Sequence, residues 1–145
     1  NAERDRARGV ELGAVATAGG WRGRASLGLQ RAWNPDAEAD AALPNAPERV
    51  AKATVFGPLG HGLWLALDGR LESGRQTLYG DTTDPYAVVD ASLSADLFGG
   101  AGRLTLEARN LFDADYTLPS GLEHIQVATI PQPRRAASLR LDVRL

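Results

Sequence analysis

Residues 63–72, LWLALDGRLE, set an apolar residue or glycine at every second position, with Asp68, Arg70 and Glu72 between the later ones. Leu63, Leu65, Leu67, Gly69 and Leu71 fall on one face, and Trp64, Ala66, Asp68, Arg70 and Glu72 on the other. A helix would scatter these leucines around its circumference, whereas an extended strand sets them all on one side. The pattern recurs along the chain. Leu104, Leu106 and Ala108 oppose Arg103, Thr105, Glu107 and Arg109; Ala137, Leu139, Leu141, Val143 and Leu145 oppose Ser138, Arg140, Asp142 and Arg144. Ala87 to Leu97, Ala25 to Leu29 and Ala51 to Val55 repeat it, and Gly9 to Ala18 carries a weaker version in which Glu11 is the clearly polar residue opposite Val10, Leu12, Ala14 and Ala16. The reading is seven two-faced strands of about ten residues, the length a tilted strand needs to cross a bilayer. Strands of soluble sheets are shorter, about five or six residues.

The expected connections alternate in length. Short turns fall at 18–20, 57–62 and 99–102; longer polar stretches fall at 34–47, 74–85 and 113–132. Outer-membrane barrels place short turns on the periplasmic side and longer loops outside. With the C-terminus periplasmic, all six connections fall on their expected sides. Trp21, Trp33, Tyr79, Tyr86, Phe98, Phe112 and Tyr116 sit at or beyond strand ends, where interfacial aromatic girdles belong. Trp64 instead shares the polar side of its strand. Bulk composition cannot separate a membrane barrel from a soluble sheet, because the two faces average out: 43% of residues are hydrophobic and 23% charged. It does exclude other classes. A net charge of −2 leaves no basic excess for nucleic acid, and the lack of Cys removes disulfides and thiolate metal sites. The opening NAERDRARG has no apolar stretch and the sequence contains no Met, so the expectation is a piece of a longer chain.

The segment Asn110-Leu111-Phe112-Asp113-Ala114-Asp115-Tyr116 resembles the NLFD-x-x-Y signature near the end of TonB-dependent outer-membrane receptors. Further stretches are similar to that family in the same order: Ala7 to Leu12 (ARGVEL), Leu43 to Arg49 (LPNAPER), Tyr86 to Asp90 (YAVVD) and Ile130 to Arg135 (IPQPRR). The resemblance spans almost the whole chain. It implies an antiparallel transmembrane barrel of about 22 strands closed around an N-terminal plug, of which this chain supplies the last seven strands, an open curved sheet if isolated. It also implies an outer-membrane location and import of a ferric siderophore or similar metal chelate, energised by the TonB complex. The partners implied are membrane lipid, the plug and remaining strands, TonB and small-molecule cargo; no resident cofactor and no nucleic acid is expected. Family members usually end in an aromatic residue, where this chain has Leu145.

Asp68, Arg70, Glu72, Arg103, Glu107, Arg109, Arg140, Asp142 and Arg144 are expected to face the lumen, since an Arg at mid-bilayer on the lipid face costs about 2–4 kcal/mol. Cross-strand ion pairs and contact with the plug are the preferred role, with lining of the import path as the sharper one. His124, in the longest loop, is the candidate cargo contact; His61 lies in a Gly-rich turn, and two distant histidines make a poor metal site. Asp113 and Asp115 read as turn formers ahead of a cation site. Asp36, Glu38 and Asp40 read as a solvated acidic loop, and no helix follows Gly99-Gly100-Ala101-Gly102 to make it a phosphate cradle. No nucleophilic triad is evident and no enzymatic activity is expected. Two other readings remain open: a free-standing small outer-membrane barrel (an adhesin or lipid-modifying enzyme) and a soluble β-sandwich binding module.

Overall fold

The computed structural model describes residues 5–36, 42–121 and 127–144. They are all-β. The elements are β1 (Arg6–Ala18), β2 (Trp21–Trp33), β3 (Arg49–Gly60), β4 (Leu63–Glu72), β5 (Tyr86–Leu97), β6 (Gly102–Arg109), β7 (Thr117–Pro119), β8 (Thr129–Pro131) and β9 (Ala136–Val143). Seven of them form one antiparallel meander in the order β1-β2-β3-β4-β5-β6-β9. The sheet is not closed: β1 and β9 are its two edges. Within the last long connection, β7 and β8 pair with each other as a separate small hairpin. Their three-residue length and terminal prolines hide them from a period-two reading.

The register explains why the strands were legible. Across the sheet, Leu12 pairs with Leu27, Leu27 with Ala51, Ala51 with Leu71 and Leu71 with Ala87. Further along, Leu65 pairs with Leu93, Leu93 with Leu106 and Leu106 with Leu139. A slip of one residue in any ladder would turn a whole strand over. None occurs in the body of the sheet, so the apolar sets merge into one continuous leucine face. That face is open. Leu12 is 64% exposed and Leu139 67%, and no hydrophobic side chain is buried among the described residues. A water-soluble fold of this size buries a hydrophobic core; this sheet has none of its own.

Two of the tight hairpins close on residues with positive φ. Gly19 and Gly20 have φ 57° and 84°, and His61 and Gly62 have φ 52° and 75°. Positive φ at both central residues is the two-residue turn that matches strand twist. His61 is thus a turn residue, and the turn expected over 57–62 is shorter than that: β3 runs on to Gly60, with a register shift between Pro58 and Gly60 that leaves Leu59 unpaired. Gly57, inside β3, is needed for a different reason. A Cβ there would fall inside the Trp21 indole, which lies across the strand on the leucine face. Gly57→Ala is expected to displace that ring and lower stability by about 1–3 kcal/mol. Urea titration should show most of the penalty vanish in a Trp21→Ala background.

Candidate functional site

Opposite the leucine face lies a charged one. It carries Asp68, Arg70 and Glu72 on β4, Asp90 and Asp96 on β5, Arg103, Glu107 and Arg109 on β6, and Arg140 and Asp142 on β9. Arg144 follows β9, where its N–H donates to the Ala101 carbonyl. The charges on β4 and β6 do not adjoin, because β5 runs between them. Towards the short-turn end the pairs run across strands: Arg103 to Asp96 at 2.7 Å and Arg140 to Glu107 at 3.8 Å, with Arg140 also reaching Asp142 at 3.2 Å along its own strand. Trp64 stacks on Phe56, centroids 5.4 Å apart, and its indole N–H donates to Asp96. The polar-side parity of Trp64 is thereby explained by a partner.

In the middle of the face two like-charged pairs stand directly opposite each other, Lys52 with Arg70 and Asp68 with Asp90. Such pairs destabilise a ladder unless each member is satisfied elsewhere. Asp68 accepts the Thr54 hydroxyl at 2.7 Å, and Asp90 accepts the Asn110 backbone N–H at 2.8 Å.

The tightest cluster is at the long-loop end. Glu72, the last residue of β4, is fully buried. Its Oε2 accepts Arg70 Nη2 at 2.5 Å and Nε at 3.0 Å, and the Tyr86 hydroxyl at 3.2 Å. Its Oε1 pairs with Arg75. Arg75 Nη1 in turn donates to Asn45 Oδ1 at 2.7 Å, and Tyr86 stacks on Tyr116 at 4.2 Å. One carboxylate therefore holds residues from all three long connections: Asn45 from the first, Arg75 from the second, and Tyr116 from the third. Ser73 adds to this by accepting the backbone N–H groups of Glu48 and Arg49, both at 3.1 Å. Two guanidiniums and a phenol on a buried carboxylate form a clamp. They leave it no free lone pair for proton transfer.

Arg75, Asn45 and Asp90 were not singled out by spacing, because the loops that carry Asn45 and Arg75 have no period to read and Asp90 gains its role only through Asn110. Tyr86 and Tyr116 do sit at strand ends as expected, but they stack above Glu72 on the charged face instead of joining a lipid-facing girdle. Trp21 and Trp33 are on the leucine face.

The NLFDADY stretch is a knot of turns. Asn110 and Asp113 have φ 48° and 57°, and the Asn110 side chain both accepts from the Ala114 N–H and donates to its carbonyl, each at 2.8 Å. Leu111 donates its N–H to Val89, while Phe112 projects outward, 75% exposed. Asp113 takes both arms of Arg134 at 3.0 and 3.1 Å and the Arg135 N–H at 2.9 Å; Asp115 takes Arg134 Nη1 at 2.8 Å. The aspartates hold a turn, and their charge is spent on Arg134. No group of three or more metal-ligating side chains occurs among the described residues. His124, Glu38 and Asp40 lie outside the described residues.

The Arg134 hydrogen bonds, with the Arg135 N–H, hold the Asp113 carboxyl down from 3.8 to about 2, and Arg134 is raised in return. A carboxyl depressed on folding stabilises the folded turn fully above its unfolded pKa and loses that contribution as pH falls through the folded one. The protection of amides 110–116, as exchange rates relative to the intrinsic rate at each pH, should therefore be steady above about pH 4 and fall between about pH 4 and 2. In Asp113→Asn the protection should be low throughout and lack that step.

No family model matches the sequence and no curated protein matches it. Solved structures match the fold. The ferric yersiniabactin uptake receptor FyuA from Yersinia pestis aligns with 99% of this chain at a TM-score of 0.77 and 22% identity. The ferric-catecholate import receptor Fiu from E. coli K12, in its closed form, aligns with 94% at 0.78 and 19% identity. The copper transporter OprC aligns with 97% at 0.73 and 23% identity. The chain spans 24%, 20% and 24% of the length of those three chains. With an unclosed, seven-stranded antiparallel meander matched over nearly its whole length, the chain has the fold of a stretch of barrel wall from a TonB-dependent receptor.

Proposed function

We propose that this chain is one wall of the barrel of a TonB-dependent outer-membrane receptor that imports a scarce nutrient, a ferric siderophore or a similar metal chelate. The observation that carries the reading is the continuous, exposed leucine face backed by a charged face. In water such a face is a liability; against acyl chains it is the required surface. The leucine face then meets lipid, the charged face meets the lumen and a plug domain, and the short hairpins lie on the periplasmic side with the C-terminus. The remaining strands would pair with the free edges of β1 and β9, since unpaired backbone does not persist in hydrocarbon. The Glu72 clamp would tie the three outer loops to the wall, and the cargo-contacting surface would be built on those loops, with His124 among its candidates. The cargoes that name the matched receptors, copper, ferric yersiniabactin and ferric catecholate, differ from one another. They favour metal uptake as the class.

Two measurements test this. The intact protein should fractionate with outer membrane, and recovery from the buffer-soluble fraction overturns the membrane reading. Cells lacking it should accumulate less of at least one radio-iron-loaded chelate under iron limitation, with uptake in the parent abolished by a protonophore. Accumulation equal to the parent across ferric chelates overturns the cargo reading.

A further inference from the structure

The leucine face carries four charged side chains among the described strand residues: Arg6 and Arg8 on β1, Arg31 on β2 and Arg49 on β3. All are arginines, all are exposed, and all lie at the long-loop end of three adjacent strands. Arg8 pairs directly with Arg31, Arg6 with Trp33, and Leu29 with Arg49. None of the four makes an ion pair with a described residue; Arg8 and Arg31 instead lie over the Trp33 ring, 5.6 and 5.9 Å from its centroid. Setting two guanidiniums opposite each other on the apolar side of a sheet costs free energy that no carboxylate among the described residues offsets. The charged face treats its own like-charged aspartates differently, giving each a donor.

We infer that this patch binds the phosphate groups of an anionic, phosphorylated lipid in the membrane leaflet at the long-loop end. The inference rests on the barrel reading above. Three features select a lipid. The arginines sit at the height where Trp33 marks the membrane interface, so their charge meets headgroups. A guanidinium fork matches phosphate oxygens two at a time. Directly below, Val10 with Leu29 and Leu12 with Leu27 continue the same face towards the bilayer centre, giving acyl chains a surface. An open cleft of about 540 Å³ lies where the two meet, with Arg8, Arg31 and Arg49 around Val10 and Leu29. Glu48 is the one carboxylate bordering that cleft, against three cations. A soluble polyanion would have no use for the leucine rows, and a neutral lipid none for the arginines.

The test uses the intact protein in phosphatidylcholine nanodiscs doped with diphosphorylated lipid A, with bound lipid counted by native mass spectrometry. The parent should retain diphosphorylated lipid A over the dephosphorylated form, with retention falling as salt rises. Arg8→Gln/Arg31→Gln should weaken that retention about tenfold or more, as loss of two charge-assisted anchors requires. Its heat-modifiable mobility should stay that of the parent, since both side chains are exposed. Equal retention by parent and variant, or of both lipids by the parent, overturns the inference and leaves the barrel reading standing. So does displacement of the lipid by millimolar inorganic phosphate, which would mark a general anion site. Failure of the parent to enter nanodiscs overturns the barrel reading and this inference with it.

Discussion

Leu67→Arg is expected to cost about 2–4 kcal/mol of folding stability in a lipid bilayer. Leu67 is in the middle of β4, and its lateral neighbours on the leucine face are Val55 and Ala91, so a guanidinium there has no partner within the face. Nor can it snorkel easily, being several residues from either strand end. The matched control is Ser92→Arg. Ser92 lies on the opposite face at mid-strand, between Ala66 and Glu107, where a new cation finds a carboxylate across the ladder. That change should stay within about 0.5 kcal/mol of the parent. Urea titration of the vesicle-inserted protein reads both. A destabilising Ser92→Arg alongside a neutral Leu67→Arg would mean that the faces are assigned the wrong way round.

Glu72→Ala carries the second large effect. It leaves Arg75, which is mostly buried, and the half-exposed Arg70 facing each other without their shared carboxylate, and it removes the acceptor of the Tyr86 hydroxyl. Stripping one partner from a buried ion cluster costs about 3–5 kcal/mol, and the exposure of Arg70 puts this case near the lower bound, about 3. The damage should be local as well as global. Limited proteolysis is expected to cut within residues 73–85 and 110–135 well below the unfolding midpoint, because the clamp that pins Asn45, Arg75 and Tyr116 is gone. Glu72→Gln retains an acceptor for one guanidinium and should fall between parent and alanine. Unchanged proteolysis in the alanine variant would show that the loops hold themselves.

What could be read from the sequence divides along physical lines. The strands were legible because each face sees one medium throughout its length, so a two-residue period survives in Leu63 to Glu72 or Ala136 to Val143 with no need of tertiary knowledge. The same parity assigned Asp68, Arg103 and Arg140 to one side. Arg6, Arg8, Arg31 and Arg49 were not singled out from the sequence; only the register shows that they share the leucine face and are neighbours. The Glu72 clamp was half legible: Arg70 and Glu72 are two apart on one strand, whereas Asn45, Arg75, Tyr86 and Tyr116 arrive through loop geometry that no period encodes. The β7–β8 hairpin, with three residues on each side, is too short for alternation to register. Asp113 and Asp115 were correctly read as turn residues from their type, while their partner Arg134, 21 residues beyond Asp113, became visible only in the fold.

The leucine face does not exist until the strands pair. In the unpaired chain its members are diluted one in two by polar residues, and the mean hydropathy is only −0.24. No stretch of it resembles the roughly 20-residue apolar helix that would lodge in a bilayer on the way through. On the proposed barrel reading, the same polypeptide would be a passenger that a membrane lets pass while it is linear, and a resident once hydrogen bonding sorts its side chains by side. Greasiness here is a property of the register, acquired at the destination.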